Sequence, residues 1–233
     1  MSDLIKLEVV DADGAIREAA EDAGLDRADF FKKAAVAGSG FVAGGVLFNG
    51  LLSPAEARIS TRKRSKTNDA KILNYALTLE YLEAEFYRQA VANNAFSSEQ
   101  YKQFAETVAE HEKEHVAFLK SALKSAAVSK PSFDFGDTVT DPGKFAATAQ
   151  VLEDTGVAAY AGQGPNILQK PVVVAALSVH SVEARHAAWI RLLNIGASST
   201  GDVSKLPAPR AFDNAKTEGQ VLKAVKATGF IKS

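Results

Sequence analysis

Apolar residues recur at helical spacing from residue 69 onward and predict four long amphipathic helices. Intervals of three and four residues between apolar positions are typical of a helix that buries one face. In the first predicted helix these positions are Ile72, Leu73, Ala76, Leu77, Leu79, Tyr81 and Leu82. The four predicted helices span about 69–92, 97–127, 142–162 and 170–195.

Local signals mark where several of these helices begin and end. Ser97 and Gln100 have the spacing of a capping box, in which each side chain satisfies a free backbone donor at the helix start. Asp141 followed by Pro142 is a second start signal, and Gly196 is a stop signal. Two connections are short and the middle one, 128–140, is long. We therefore expect an all-α four-helix bundle with one crossover, between helices 2 and 3.

The residues before the bundle have the composition of a targeting segment. A polar stretch precedes the basic and aromatic run 26–33, the apolar run 34–52 and a small-x-small pattern at Ala55 and Ala57. The run resembles a twin-arginine export signal in which Ala28 occupies the place of the second arginine. We predict a leader over 1–57 and export to the periplasm or cell surface. A membrane anchor through 34–52 and a cytoplasmic protein are the alternatives.

Two further segments complete the predicted domain organisation. Residues 58–67 are basic and polar and are interpreted as a linker to the bundle domain, 68–196. The tail, 197–233, contains Pro207, Pro209 and a capping pattern at Thr217 and Gln220, and we expect it to pack on the bundle.

Composition narrows the chemistry that the bundle can support. The chain has 27 basic and 28 acidic residues and a formal net charge of −1, so nothing favours nucleic acid as a partner. It has no cysteine, which excludes disulfides and thiolate metal sites. A transition-metal site must then use imidazole and carboxylate, a ligand set suited to iron, manganese or zinc.

Two helices each carry a glutamate followed three residues later by a histidine. The pairs are Glu112 with His115 in the second helix and Glu183 with His186 in the fourth. A spacing of three puts both side chains on one helix face, about one turn apart, so that they can share a metal ion. Coincidence explains one such pair more easily than two.

The other two helices each carry a glutamate among apolar residues. Glu80 precedes Tyr87 by seven residues in the first helix, and Glu153 precedes Tyr160 by seven in the third. The chain thus repeats one unit, because Glu80 and Glu112 are 32 residues apart and Glu153 and Glu183 are 30 apart. An internal repeat of this kind indicates one site built from all four helices.

On these residues the sequence resembles the ferritin-like di-iron carboxylate superfamily. More narrowly, the stretches 74–87, 110–119 and 211–213 resemble bacterial ferritin-like proteins related to plant desiccation-associated proteins. The superfamily pattern is one glutamate from each of two helices and a Glu-x-x-His from each of the others. The resemblance implies a ferritin-like bundle with these metal ligands: Glu80, Glu112, His115, Glu153, Glu183 and His186.

The implied cofactors are two iron ions, with manganese as the alternative. Four carboxylates in an apolar interior repel one another, and two divalent cations cancel their charge. Glu112 and Glu183 are expected to bridge both ions, and Glu80 and Glu153 to be terminal ligands.

Other readings compete at particular residues. The stretch from His111 to His115 also matches His-Glu-x-x-His, the helix motif of zinc proteases, with Glu112 as general base. In the bundle His111 instead lies beside the site or faces solvent. Glu83, one turn from Glu80, is a rival or additional ligand. We interpret Tyr87 and Tyr160 as core aromatics that can hydrogen-bond a ligand carboxylate, His180 as a surface or nearby residue, and Glu85 as solvated.

Three functions are compatible with the sequence. The first is an oxidoreductase that oxidises ferrous iron or consumes oxygen or peroxide, with metal ions and oxygen species as its partners. The second is a stress-associated or desiccation-associated structural or interaction protein whose metals only stabilise the bundle. Iron storage in a cage ranks last, because the tail is broken by prolines. The sequence leaves open whether the protein is an enzyme and whether it is a monomer or an oligomer such as a dimer.

Overall fold

A computed structural model describes residues 58–196 and 202–232 of the chain. The expected leader, 1–57, lies outside the described residues. Within the described ranges the chain is dominated by α-helices, four of them long. We label the helices α1 Lys66–Asn93, α2 Glu99–Leu123, α3 Pro142–Gln163, α4 Lys170–Ile195 and α5 Glu218–Thr228. None of them is both long enough and apolar enough to cross a membrane.

Side-chain caps fix most of the helix starts. Ser65 caps α1 by accepting a hydrogen bond from the backbone N–H of Asn68 at 3.1 Å, so α1 begins at Lys66, three residues before the predicted start. Asp141 caps α3 by accepting from the N–H of Lys144 at 2.8 Å, with Pro142 next as predicted. At the other end of α4, Gly196 has a positive φ of 64°.

The predicted capping box at the start of α2 is wrong. Ser98, not Ser97, is the N-cap residue, and its side chain makes no capping hydrogen bond. With the helix beginning at Glu99, Gln100 stands one position too early to close the box. The box at Thr217 and Gln220 does form, at the start of α5.

The helix α2 ends at Leu123, four residues before the predicted end, and the next residue, Lys124, adopts a positive φ of 52°.

The four long helices form two hairpins, α1 with α2 and α3 with α4, which pack against each other. The hydrogen bonds Tyr87–Glu153 and Tyr160–Glu80 show that α1 and α3 are antiparallel, because residue numbers rise in one helix as they fall in the other. Consequently α2 and α3 run in the same direction and need a crossover. It consists of residues 124–141, as the long middle connection predicted.

The crossover and the C-terminal segment are fastened together. Strand β1, Ser132–Phe133, pairs antiparallel with β2, Ile231–Lys232, a two-stranded sheet that the sequence did not suggest. Phe135 of the crossover is buried and its ring lies 5.1 Å from that of Phe230. Val221 of α5 is fully buried in the main core, so α5 packs against the bundle.

The main core is rich in aromatic side chains. Phe86, Tyr87, Phe104 and Phe145 are completely buried. Phe86 stacks on Phe145 with a centroid distance of 5.6 Å, and Tyr87 meets Phe104 edge-on at 5.8 Å. These contacts join α1, α2 and α3 at one level of the bundle.

The start of the described chain is more ordered than its polar composition suggested. Ile59 is buried in the core, and its backbone N–H donates to Glu218 of α5. Asn68 bonds the backbone of Ser60 through both ends of its amide and also donates to the carbonyl of Asn166. Residues 59 and 60 are therefore anchored to the bundle and do not behave as a free linker.

Candidate metal centre

All six residues expected as ligands meet in the middle of the bundle, in two groups. The first group contains Glu80, Glu112, His115 and Glu183, and the second contains Glu112, Glu153, Glu183 and His186. In each group the potential ligand atoms lie within 4.8 Å of one another. The groups share Glu112 and Glu183, so the arrangement has two adjacent centres with two glutamates in common.

The helices place these side chains for simple geometric reasons. Glu112 and His115 are one turn apart on the same face of α2, and Glu183 and His186 are one turn apart on α4. Glu80 of α1 and Glu153 of α3 complete the two groups from the opposite side. All four glutamates are at most 1% exposed as side chains.

Both histidines direct Nδ1 toward the carboxylates. Nδ1 of His115 lies 3.2 Å from oxygens of Glu80, Glu112 and Glu183. Nδ1 of His186 lies 3.3 Å from Glu112 and 3.2 Å from Glu153. The two imidazoles therefore present the same nitrogen to their respective groups.

Each unshared glutamate is held by a tyrosine from the facing helix. Tyr87 of α1 donates to Oε1 of Glu153 at 2.5 Å, and Tyr160 of α3 donates to Oε1 of Glu80 at 2.5 Å. Burial and the adjacent carboxylates raise the pKa of both phenols, so they remain protonated donors. Both tyrosines thus hydrogen-bond a carboxylate of the cluster, in agreement with the expectation that they could do more than fill the core.

Burial and mutual repulsion dominate the electrostatics of the carboxylates. Burial first, and then the charges of neighbouring glutamates, raise the pKa of Glu112 and Glu183 well above the usual range. For Glu80, burial acts in the same direction, but the hydrogen bond and charge of His115 outweigh it and lower the pKa. Without cations, then, Glu112 and Glu183 keep their protons to a higher pH than exposed glutamates do.

The histidines respond in the complementary way. Burial disfavours the charged form of His115, but its hydrogen bonds with Glu112, Glu183 and Glu80 prevail and raise its pKa. The pKa of His186 is also raised, because contact with Glu153 outweighs burial. In the absence of metal, both histidines therefore favour their protonated form, which supplies positive charge to the cluster.

Unpartnered polar atoms test whether this cluster suits metal ions. Within the described ranges, buried atoms that have no hydrogen-bond partner include both carboxylate oxygens of Glu183, Oε1 of Glu112, Oε2 of Glu153 and Nδ1 of His186. Buried polar atoms are rarely left unpaired in folded proteins, and each such atom calls for a ligand. Five of the seven such atoms in the described ranges thus belong to the two groups, and the other two are the Tyr75 hydroxyl and Nδ1 of His180, so the donor set fits a pair of metal ions.

Gly156 of α3 makes room for this cluster. A Cβ atom at this position would lie 2.8 Å from Oε2 of Glu183 and 3.3 Å from Oε1 of Glu83. Glycine in a helix interior costs stability, so its presence here is explained by the close approach of the two carboxylates. The sequence analysis missed Gly156, although a glycine three residues after Glu153 within a helix was a usable signal.

Glu83, the rival to Glu80, is buried beside the cluster but belongs to neither group. Burial, followed by the charges of Glu183 and Glu153, raises its pKa well above the usual value. Its position near Gly156 makes it a neighbour of Glu183 and not an alternative to Glu80.

His111 lies outside both groups, which argues against the zinc-protease reading. Its Nδ1 is 2.8 Å from Nε2 of His186, and the two rings stack at 16° with centroids 5.1 Å apart. His111 therefore contacts a candidate ligand from α4 and does not join His115 around one ion. Burial, reinforced by the neighbouring histidines, lowers its pKa.

His180 also lies outside both groups. Its Nδ1 is buried and has no partner among the described residues, and its ring lines a surface cavity of about 260 Å³ near Tyr160.

Glu85 was interpreted as solvated, but it is largely buried. The hydrogen bond from Arg88 lowers the pKa of Glu85 to about 2, since this bond and the contact with Lys130 outweigh the opposing effect of burial.

Comparison with known families agrees with this geometry. The model of the ferritin-like domain matches residues 68–195, more than half of the chain. The chain belongs to the ferritin-like domain family. The matched range begins at Asn68 in the first turn of α1 and ends with α4, so the ferritin-like domain contains all six cluster residues. Comparison with curated proteins finds no match.

Proposed function

We propose that the protein is a dinuclear metal protein that binds two iron ions, or alternatively two manganese ions. Glu80, Glu112, His115 and Glu183 would hold one ion, and Glu112, Glu153, Glu183 and His186 the other. The main support is the pair of overlapping groups with their unpartnered oxygen and nitrogen atoms. Four carboxylates and two imidazoles form a donor set typical of these metals.

Charge balance supports the binding of two ions in preference to one. Four ionised glutamates carry four negative charges, which two divalent cations neutralise. A single divalent cation would leave a net negative charge in a region that burial makes costly for any ion. Glu112 and Glu183, which belong to both groups, would bridge the pair.

For the activity, we infer an oxidoreductase that oxidises ferrous iron or reduces oxygen or peroxide. When bound, iron or manganese supplies electrons by cycling between the +2 and +3 states. The side chains contribute the surroundings: Tyr87 and Tyr160 orient the terminal carboxylates, and the buried position of all four glutamates limits the entry of water.

A structural role is the second candidate, and the depth of the cluster favours it. The side chain of His115 is 12% exposed and that of His186 only 3%, so the cluster is poorly open to a large substrate. In this role, which accords with the resemblance to desiccation-associated proteins, two ions stabilise the bundle by neutralising its buried carboxylates.

Oxygen uptake separates the two functions. Metal-free protein is mixed with ferrous iron under air, and oxygen consumption is followed in parallel with the number of ions bound. We expect uptake that depends on the protein and disappears in Glu112→Ala but persists in Glu114→Ala, which alters an exposed glutamate on the same helix. Two bound ions and a higher melting temperature without any uptake would establish the structural role instead.

Export remains a prediction, since it rests on residues 1–57. Mass spectrometry of the protein isolated from its native source tests it. A mature N-terminus near Arg58 in the exported fraction would support cleavage, and an intact Met1 in the cytosol would refute export.

A further inference from the structure

The two halves of the candidate metal centre are similar in their tyrosines and in the orientation of their histidines, but they differ behind the histidines. Each unshared glutamate accepts a tyrosine hydroxyl at 2.5 Å, and each histidine directs Nδ1 at the carboxylates. The outer nitrogens differ. Nε2 of His186 is 2.8 Å from Nδ1 of His111, whereas no residue in the described ranges hydrogen-bonds Nε2 of His115.

The sequence explains why only one histidine has this partner. His111 stands one residue before Glu112 and four before His115 on α2. The equivalent position on α4, one residue before Glu183 and four before His186, is Val182. Valine has no hydrogen-bonding group, so α4 cannot return to His115 the contact that α2 provides to His186.

The hydrogen bond also fixes which nitrogen of His186 is free. An ion bound at Nδ1 of His186 requires the ring proton on Nε2, and that N–H then donates to Nδ1 of His111. His111, which accepts at Nδ1, then carries its single ring proton on Nε2. Stacking of the two rings at 16° further restricts rotation of the His186 ring.

We propose that His111 is a positioning residue that holds His186 ready for metal, so that the centre fills in a fixed order, first at His186 and then at His115. This inference rests on the proposed function. A partner behind a ligand imidazole fixes its orientation and increases its basicity, and loss of such a partner typically weakens metal affinity by about 10- to 100-fold.

Anaerobic titration of the full-length metal-free protein with Co²⁺ tests the order of filling, because Co²⁺ reports its own binding through visible absorption. We expect two resolved steps in the wild type. In His111→Ala the tighter step should weaken by about 10- to 100-fold and merge with the second. His111→Asn, whose side-chain oxygen can accept from Nε2 of His186, should restore part of the difference.

Two further variants sharpen the result. His180→Ala removes a histidine that lies outside both groups and should leave both steps unchanged. Melting temperatures of the metal-free variants confirm that each one folds. Two bound ions with equal steps in the wild type, or an unchanged tighter step in His111→Ala, would overturn the ordered filling while the dinuclear proposal stands. Absence of Co²⁺ binding by the wild type would overturn both.

Discussion

Tyr160 donates its hydroxyl to Glu80 on the facing helix, not to Glu153, which precedes it by seven residues on its own helix. Tyr87 and Glu153 form the reciprocal pair. Seven residues correspond to about 10.5 Å along a helix axis. The glutamate and the tyrosine of one helix therefore share a face but lie too far apart to hydrogen-bond each other. The antiparallel packing of α1 and α3 places each tyrosine opposite the glutamate of the other helix.

The hydrogen bond between Tyr87 and Glu153 predicts the effect of removing the Tyr87 hydroxyl. Tyr87→Phe leaves Oε1 of Glu153 without its donor in the interior, and we expect the metal-free protein to lose roughly 1–3 kcal/mol of unfolding free energy. Tyr101→Phe is the matched control, because its hydroxyl bonds Asn194 at an exposed position. Chemical denaturation of both variants measures the difference. Equal losses would argue against a structural role for the buried pair.

Gly156→Ala should reduce metal binding even though alanine favours helices. Without the cluster, the substitution would stabilise α3 by roughly 1 kcal/mol. Here the added Cβ meets Oε2 of Glu183 at 2.8 Å and displaces a carboxylate shared by both groups. We expect weaker binding of both ions in a calorimetric titration.

Gly219→Ala in α5 is the control for that variant, since its Cβ would contact nothing within 4 Å. It should slightly raise stability and leave metal binding unchanged. Wild-type affinity in Gly156→Ala would show that the cluster tolerates the methyl group.

The stability of the metal-free protein should fall as pH rises from mildly acidic to alkaline values. The folded state raises the pKa of Glu83, Glu112 and Glu183 above the ordinary value of 4.5, and that of His115 above 6.5. These four groups bind more protons in the folded protein than in the unfolded chain, and they outnumber His111, whose lowered pKa has the opposite effect. The stability they contribute is lost as pH rises through their folded pKa values.

Metal affinity should show the opposite trend, because metal and protons compete for the same atoms. Melting temperatures between pH 5 and 9, with and without manganese, test both trends. A metal-free protein that becomes more stable with rising pH throughout this range would contradict the assigned protonation of the cluster.

Gly162→Ala tests how the C-terminal segment is attached to α3. A Cβ atom at this position would overlap the carbonyl oxygen of Lys216, whose N–H donates to the carbonyl of Ala158 at 3.0 Å. Backbone cannot yield as a flexible side chain can, so we expect a loss of a few kcal/mol in unfolding free energy and faster proteolysis after residue 202. Gly164→Ala, which meets nothing within 4 Å, should behave like the wild type.

The sequence predicted much of the bundle because its signals are local. Asp141, Pro142 and Gly196 act within a few residues, and the structure places them where the pattern predicted. The Glu-x-x-His spacing is equally local and indicated four of the six cluster residues, whereas Glu80 and Glu153 were selected by the repeated glutamate–tyrosine spacing and by the resemblance to the ferritin-like superfamily. The capping box at Ser97 failed because a one-residue shift in the start of α2 puts Gln100 out of register.

Contacts between distant segments were beyond the reach of these patterns. Asp69 accepts hydrogen bonds from Leu168 and Gln169 at the start of α4, almost 100 residues away, and nothing in its local sequence suggests this. The stacking of His111 on His186 depends on the packing of α2 against α4. His111 is exposed, and the pattern of apolar positions in α2 carries no information about its contact with His186 of another helix.

Counting the metal ions in Glu112→Ala tests the central claim most directly. Wild-type protein loaded with iron or manganese should contain two ions per chain by elemental analysis. Glu112 belongs to both groups, so its loss should abolish the binding of both ions, whereas Glu114→Ala should retain two. Retention of one tightly bound ion by Glu112→Ala would contradict a centre whose two ions are bridged by this glutamate.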